Sequence, residues 1–458
     1  MRCFWFSLFL LIHCSIALAQ SKRDSVSVRE IKIIGNKHTA RNIILRELDV
    51  IEGQYLHRDS LRYYAQSDSM RLSSMGLFTD IHVLADSENI DGVIWHIAVK
   101  ERWFIIPEPV FQLADRNFNV WWNEQNRDIR RIIVGATVRH KNVRGNLESL
   151  SATVQVGYTK RFGLEYLKPY VDRKQKHGFL LGFSVAESQE TFYNTDSNKL
   201  LFVHTADQYI LQQTEVYGGY IYRPAYATKH LLRLAYKQSH VEDTIISLNP
   251  NYFQNRGNKM QWIELSYRME HNGADNWNYP LVGTKFIGQF ISRLGIHGMN
   301  FQSFATVELG KYFQVAPKWY ISTILRGRLS FPQDQPYALR AALGTKFDYV
   351  RGYEYYVVDG SHFGLLRFNF KRELLNLNIH KIPLKYLPVI PIRVYPKLFA
   401  DAGYVKNNEP GNSFLNNKLL FSAGIGVDIV TFYDIKIRLE YAWNHLGQKD
   451  LFLHLNSE

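Results

Sequence analysis

The chain has 458 residues, 55 Lys and Arg against 42 Asp and Glu, a formal net charge of +13 and 46% hydrophobic residues. The basic residues are spread along alternating segments rather than gathered on one helix, which excludes a nucleic-acid footprint as the meaning of the charge. The two cysteines, Cys3 and Cys14, fall in the first twenty residues, so the remainder has no thiol for a disulfide or a cysteine metal site.

Arg2, the apolar residues 4–12 and the small-residue site Ala17-Leu18-Ala19 read as a secretory signal peptide over 1–19, with cleavage before Gln20. His13 is too bulky for the residue preceding a lipidated cysteine, which argues against lipidation at Cys14. Nothing after it approaches the ~18 consecutive apolar residues of a membrane helix. A mean hydropathy of −0.24 suggests a soluble protein at first sight. Alternating strands of a membrane barrel would hide from that average, however, and the 14% aromatic content suits interfacial girdles.

Residues 26–101 read as strand, helix, helix, strand, strand. Residues 28–34 form a short β run closed by Gly35-Asn36. Thr39 is an N-cap candidate for a helix through Leu48. Asp59 or Ser60 can cap a second helix, whose buried stripe is Leu61, Tyr64, Ala65, Leu72 and Met75, with Gly76 as its terminator. Ile81, Val83 and Ala85 alternate in the next strand, and Val93, Trp95, Ile97 and Val99 in the last. This order, with Ile33-Ile34-Gly35-Asn36 and the Gly76-Leu77-Phe78 link, resembles a POTRA domain. The resemblance implies exposed sheet edges on which an extended client segment can add a strand.

Residues 102–127, with Pro107, Pro109, Trp121 and Trp122, have no clean period and read as a connector. From 128 to 458 the chain divides into about 16 strands at about 20 residues per strand plus loop. Segmentation is ambiguous between Glu187 and Gln213. Ile263, Leu265, Tyr267 and Met269 oppose Glu264, Ser266, Arg268 and Glu270. Leu366, Phe368 and Phe370 oppose Arg367, Asn369 and Lys371. Ile435, Ile437, Leu439, Tyr441 and Trp443 oppose Lys436, Arg438 and Glu440. The expected fold class is mainly β: an antiparallel transmembrane barrel behind one small α+β domain, with apolar side chains toward lipid and charged ones toward a wet lumen.

Val350-Arg351-Gly352-Tyr353 lies in a loop, and Asp401 and Gly403 about one strand further on. A lipid-facing carboxylate is costly, so Asp401 is expected in the lumen with Arg393 and Lys397. A guanidinium can take a carboxylate through two parallel bonds, Gly352 lets the loop bend, and Tyr353 can wedge beside it. Read alone, Arg351 and Asp401 fit two unrelated charges better, one in a solvated loop and one in a charged lumen row. Catalytic patterns are weak. Asp359, Ser361 and His362 crowd one loop, whereas triad members converge from separate elements. Gly182-Phe183-Ser184-Val185-Ala186 lacks the second glycine of a nucleophile elbow. Gly424-Ile425-Gly426 sits in a strand and reads as a site of close backbone approach. No catalytic residue, cofactor or metal site is expected.

A POTRA-like module before a strand-rich domain is similar to the Omp85 superfamily, in its BamA/TamA-like assembly branch with a surface antigen D15-type barrel. Gly135-Ala136-Thr137 through Asn142-Val143-Arg144-Gly145-Asn146 and Leu164 to Tyr170 resemble the family's first barrel strands. Val350 to Tyr353 resembles its hallmark motif on the sixth external loop, with about eleven strands before it and five after. Phe399-Ala400-Asp401-Ala402-Gly403 resembles its F-x-D-x-G strand, and Gly424 to Asp428 with residues 435–443 its closing pair. The resemblance implies an Arg351–Asp401 lock and a seam between the strands near 132–139 and 451–455. It also implies a bacterial outer-membrane location, with the POTRA domain in the periplasm. Expected partners are unfolded outer-membrane β-barrel proteins or a secreted partner, outer-membrane lipids and accessory lipoproteins, with no nucleic acid and a monomeric barrel. Assembly factor is the leading reading, and partner-secreting translocase or passive pore the alternatives. One POTRA domain fits a specialised or accessory member, and the ending Asn456-Ser457-Glu458 departs from an aromatic terminus.

Overall fold

A computed structural model of the protein describes residues 25–89, 92–172, 174–205, 208–379, 390–431 and 436–455. The expected signal peptide, Ile435 and the ending 456–458 lie outside them. No helix among the described residues is long and apolar enough to cross a membrane.

The chain divides into two compact units. The first comprises the described residues up to Pro107 with Val138–Leu150 and Leu167–Gln175. Its sheet holds β1 (Ser25–Ile34), β2 (Tyr55–His57), β3 (Phe78–Asn89) and β4 (Gly92–Glu101) in the order β2-β1-β4-β3. β1 runs parallel to β4, and β3 runs antiparallel to it. Helices Arg41–Glu47 and Leu61–Ser74 cover one face. The core gathers Val28, Ile31, Ile44, Leu72, Leu77, Val93, Trp95 and Ile97, with Leu61, Tyr64, Ala65 and Met75 packed against it. The stripe on the second helix therefore lies as its spacing requires.

Of the two expected caps, the first is displaced and the second holds in position. Ala40, not Thr39, stands at the first helix's N-cap, and no side chain caps that helix. The Thr39 hydroxyl is taken by Asn142, whose Nδ2 donates to it at 2.9 Å. Ser60 occupies the second cap position without a side-chain bond. The short strand β2 went unread because three residues show no period.

The stripe also carries an acid. Asp68 is fully buried and accepts from the Asp49 amide at 2.6 Å and from the Trp95 indole at 3.1 Å. Burial pushes its carboxyl up to about 6.

The remaining strands close into a barrel. In chain order they are β5 (Ile105–Leu113), β6 (Ile132–Lys141), β7 (Ser149–Gly157), β8 (Thr159–Lys168), β9 (His177–Ser188), β12 (Leu211–Ala225), β13 (Thr228–Val241) and β14 (Lys259–Asn272). They continue with β15 (Gly283–His297), β16 (Gln302–Ala316), β17 (Trp319–Phe331), β20 (His362–Arg372), β21 (Leu375–Ile379), β22 (Ile390–Lys406), β23 (Leu419–Val430), β24 (Lys436–Asn444) and β25 (Lys449–Leu455). Two hairpins stand outside the wall: β10 (Glu190–Asp196) with β11 (Lys199–His204), and β18 (Ala341–Leu343) with β19 (Val358–Asp359). β20 and β21 both pair with β22 and form one interrupted stave, so the described strands make sixteen staves.

The expected connector 102–127 thus contains the first barrel strand. β5 is bonded to β6 at both ends, Ala114 N to Arg131 O at 2.8 Å and Lys141 N to Phe104 O at 2.8 Å. Pro107 and Pro109 obscured it, because each lacks a donor and breaks a strand pattern. The ambiguous stretch 187–213 holds the hairpin β10–β11, which supplies two strands but no stave. One stave missed and one over-counted leave eleven before the 332–361 loop and five after it.

The wall's burial is inverted relative to a water-soluble protein. On β24, Lys436, Arg438 and Glu440 are buried while Ile437, Leu439 and Trp443 are exposed. On β20, Arg367, Asn369 and Lys371 are buried while Leu366 and Phe368 are exposed. Charged residues inside and apolar ones outside suit a barrel whose outer solvent is hydrocarbon. Closure supplies every wall strand with two neighbours, as lipid demands.

Candidate functional site

The inner faces of β20, β22, β23 and β24 meet the loop 344–357. Along β22 the inward residues are Lys397, Phe399, Asp401 and Gly403, all on one side by strand alternation. Each has a separate task. Asp401, 3% exposed, accepts from Arg351 three times: from the backbone N at 3.1 Å, from Nε at 2.8 Å and from Nη2 at 2.5 Å. The Phe399 ring lies beneath the same guanidinium, 4.1 Å from its carbon. At Gly403 a Cβ would sit 2.4 Å from Val350 Cγ2, so the glycine makes room for the residue before Arg351.

Other strands complete the grip. Arg351 Nη1 donates to Asn369 Oδ1 at 2.6 Å and to Glu440 Oε1 at 3.2 Å. Gly352 takes φ +84°, and its carbonyl accepts from Asn444 Nδ2 at 2.7 Å. The Tyr353 hydroxyl donates to the Phe421 carbonyl at 3.1 Å and meets the His445 ring. Gly424 explains how Phe399 fits, since a Cβ there would lie 2.4 Å from that ring. The close backbone approach read into Gly424-Ile425-Gly426 is present as well, since the same Cβ would lie 2.3 Å from the Tyr441 carbonyl oxygen.

The lock sits in a buried cluster of ion pairs. Lys397 Nζ pairs with Asp428 at 2.5 Å and Glu440 at 2.7 Å. Lys371 pairs with Asp428 at 3.5 Å, and Arg367 Nη2 donates to the Tyr349 carbonyl at 2.6 Å. Buried ions cost several kcal/mol each unless paired with good geometry, so the cluster holds the loop only as a set. Removal of one member leaves its partners charged and dry.

The structure brings Val350, Arg351, Gly352 and Tyr353 together with Asp401 and Gly403. It does not assemble Asp359, Ser361 and His362. Ser361 Oγ donates to the Lys406 carbonyl at 3.5 Å, and His362 Nδ1 accepts from the Ser330 amide at 3.1 Å. Asn369 and Asn444 went unnamed as partners, although both lie on inward positions that alternation identifies. The segment 114–128 was missed entirely. Arg116 Nη1 donates to the carbonyls of Gly344 at 3.0 Å and Tyr356 at 2.8 Å, closing the ends of the loop. Nothing in its local sequence signals that role.

Residues 26–102 match the family model for POTRA, described as a surface antigen variable number repeat. Among solved structures, BamA from Haemophilus ducreyi lacking POTRA domains 1–3 superposes with a TM-score of 0.57 and 15% identity, covering 93% of this chain and 83% of that one. The chain has an Omp85-type fold with one POTRA domain. The Omp85-type barrel is also similar to CdiB from Acinetobacter baumannii, with a TM-score of 0.54, 11% identity and coverage of 94% and 73%. CdiB from Escherichia coli gives 0.55, 12%, 94% and 75%. No curated protein matches the chain.

Proposed function

We propose that this Omp85-type chain acts in the bacterial outer membrane as a non-enzymatic assembly factor that folds client β-barrel proteins into the bilayer. The observation that carries the reading is the junction between β25 and β5. Among the described staves it is the one neighbouring pair that the chain joins across its whole length rather than through a local turn. Such a junction can part without unravelling a hairpin, and a parted edge in lipid presents unpaired backbone groups that a client strand can satisfy. The seam lies one strand earlier than 132–139, at Ile105–Leu113. The POTRA sheet adds an edge strand, β3, suited to holding an extended client beforehand.

Secretion of a partner through the lumen is the alternative. The loop 344–357 lies against four wall strands through buried Arg351, and this favours work at the seam over passage through the centre.

The test is reconstitution of the chain from Gln20 onward in liposomes with an unfolded barrel protein, scoring the client's folding rate. Wild type should accelerate folding, and both Arg351→Ala and removal of 26–101 should reduce the acceleration. A properly folded barrel that leaves the rate unchanged would transfer the proposal to secretion of a dedicated partner or to a pore.

A further inference from the structure

The segment between β5 and β6 turns back along the last strand and ends against it. Asn119, 8% exposed, precedes a single turn at Val120–Glu124. Its side-chain amide makes two bonds to the backbone of β25. Nδ2 donates to the Leu451 carbonyl at 2.7 Å, and Oδ1 accepts from the Leu453 amide at 3.2 Å. In an antiparallel strand the polar groups of residues i and i+2 point to the same edge. Leu451 and Leu453 therefore use one edge for Asn119, while β24 pairs along the other. A primary amide carries one acceptor and two donors on a planar frame, as a peptide group carries an acceptor and a donor. Asn119 thus reproduces with a side chain the contact that a neighbouring strand's backbone would make.

The same segment is anchored on both flanks. Asn117 Nδ2 donates to the Glu354 carbonyl at 2.8 Å, and Asn117 Oδ1 accepts from the Val120 amide at 2.9 Å. Asn123 Nδ2 donates to the Tyr355 hydroxyl at 2.6 Å, and that hydroxyl donates to Asp450 at 2.6 Å. Arg116 grips the ends of the loop that carries Arg351. Asn119 is therefore held in place by the locked loop rather than resting on the strand by chance.

We infer that Asn119 is a built-in competitor for the strand-accepting edge of β25. Beside the pairing of β25 with β5, it satisfies Leu451 and Leu453 in the resting protein, and it leaves when that junction parts and an extended polypeptide strand pairs there. The inference rests on the reading of the β25–β5 junction as the place where strands are added, and it names what occupies that place beforehand.

The test needs no client folding, so its failure is distinguishable from failure of the assembly reading. In the chain from Gln20 onward, Leu451→Cys introduces a single thiol, because the natural cysteines are at 3 and 14. The probe is a ten-residue peptide of alternating Thr and Phe with one cysteine, and the readout is its rate of disulfide cross-linking in liposomes under a fixed oxidant. Asn119→Ala should cross-link about ten-fold faster, the scale set by loss of one to two net hydrogen bonds. Asn119→Asp is nearly isosteric and guards against misfolding. It loses both N–H donors and places a carboxylate against the Leu451 carbonyl, so it should also cross-link faster. Amide exchange at Leu453 should rise in Asn119→Ala, which removes its acceptor, whereas Asn119→Asp keeps an oxygen for that amide. Equal or slower cross-linking in a folded Asn119→Asp barrel, or unchanged Leu453 exchange in Asn119→Ala, would overturn the inference.

Discussion

The guanidinium of Arg351 is held by a carboxylate, an amide and a second carboxylate, and rests on an aromatic ring. Breaking a buried ion pair on one side costs about 3–5 kcal/mol, because the remaining charge stays dry. Arg351→Ala and Asp401→Ala should each make the 344–357 loop cleavable by added protease in the folded barrel, while the double variant should lose less than the sum. A double-mutant cycle on the barrel's thermal unfolding checks this. Arg351→Lys should not restore protection, since an ammonium cannot span both Asp401 oxygens and Asn369. Gly403 offers a steric counterpart. Gly403→Ala should destabilise by about 1–3 kcal/mol through the collision with Val350, and Val350→Ala in the same chain should recover much of it. At this scale the sequence was informative about polarity and silent about company. Alternation put Asp401, Lys397 and Glu440 inside, but nothing along the chain ties Asn444 to the Gly352 carbonyl, ninety-two residues apart.

Among the elements, the POTRA domain yields a prediction about pH. Asp68 has a folded-state carboxyl raised to about 6 against an ordinary 3.8. A raised acid favours the folded state when protonated, so its contribution is complete below the ordinary carboxylate range. It declines as pH rises from about 4 to about 6, and is flat above that. At about 1.4 kcal/mol per unit, the loss across that window is about 3 kcal/mol. The urea midpoint of the domain in the intact chain, followed through the Trp95 indole resonance, should fall over this range. Asp68→Asn should abolish the slope. The acid sits where the helical period places a core residue, between Ala65 and Leu72. A polar residue on an apolar stripe was thus a legible sign of a buried network. The strand β5 was not legible in the same way. Its two prolines and irregular flank carry the local signature of a linker, and only pairing with β6 and β25 makes it a strand. Local propensity lost to tertiary context.

For the whole molecule, the long rows of alternating residues made the barrel readable even though the count began one strand late. Removal of 344–357 should leave the wall standing and take away the segment that Arg351 pins to its inner face. Planar-bilayer recordings should then show a persistent conductance larger than that of the intact chain, and an unchanged conductance would mean that other segments fill the lumen. The inverted burial of β20 and β24 has one more consequence. Along β20 and β24 exposed apolar residues alternate with buried polar ones, so neither strand is an unbroken apolar run. The greasy surface does not exist until neighbouring staves lie side by side and sort their two rows apart. A strand patterned in this way is an ordinary alternating segment until the ring closes, and only the closed ring offers a continuous apolar surface. For this architecture, acquiring a shape and entering the bilayer are one event.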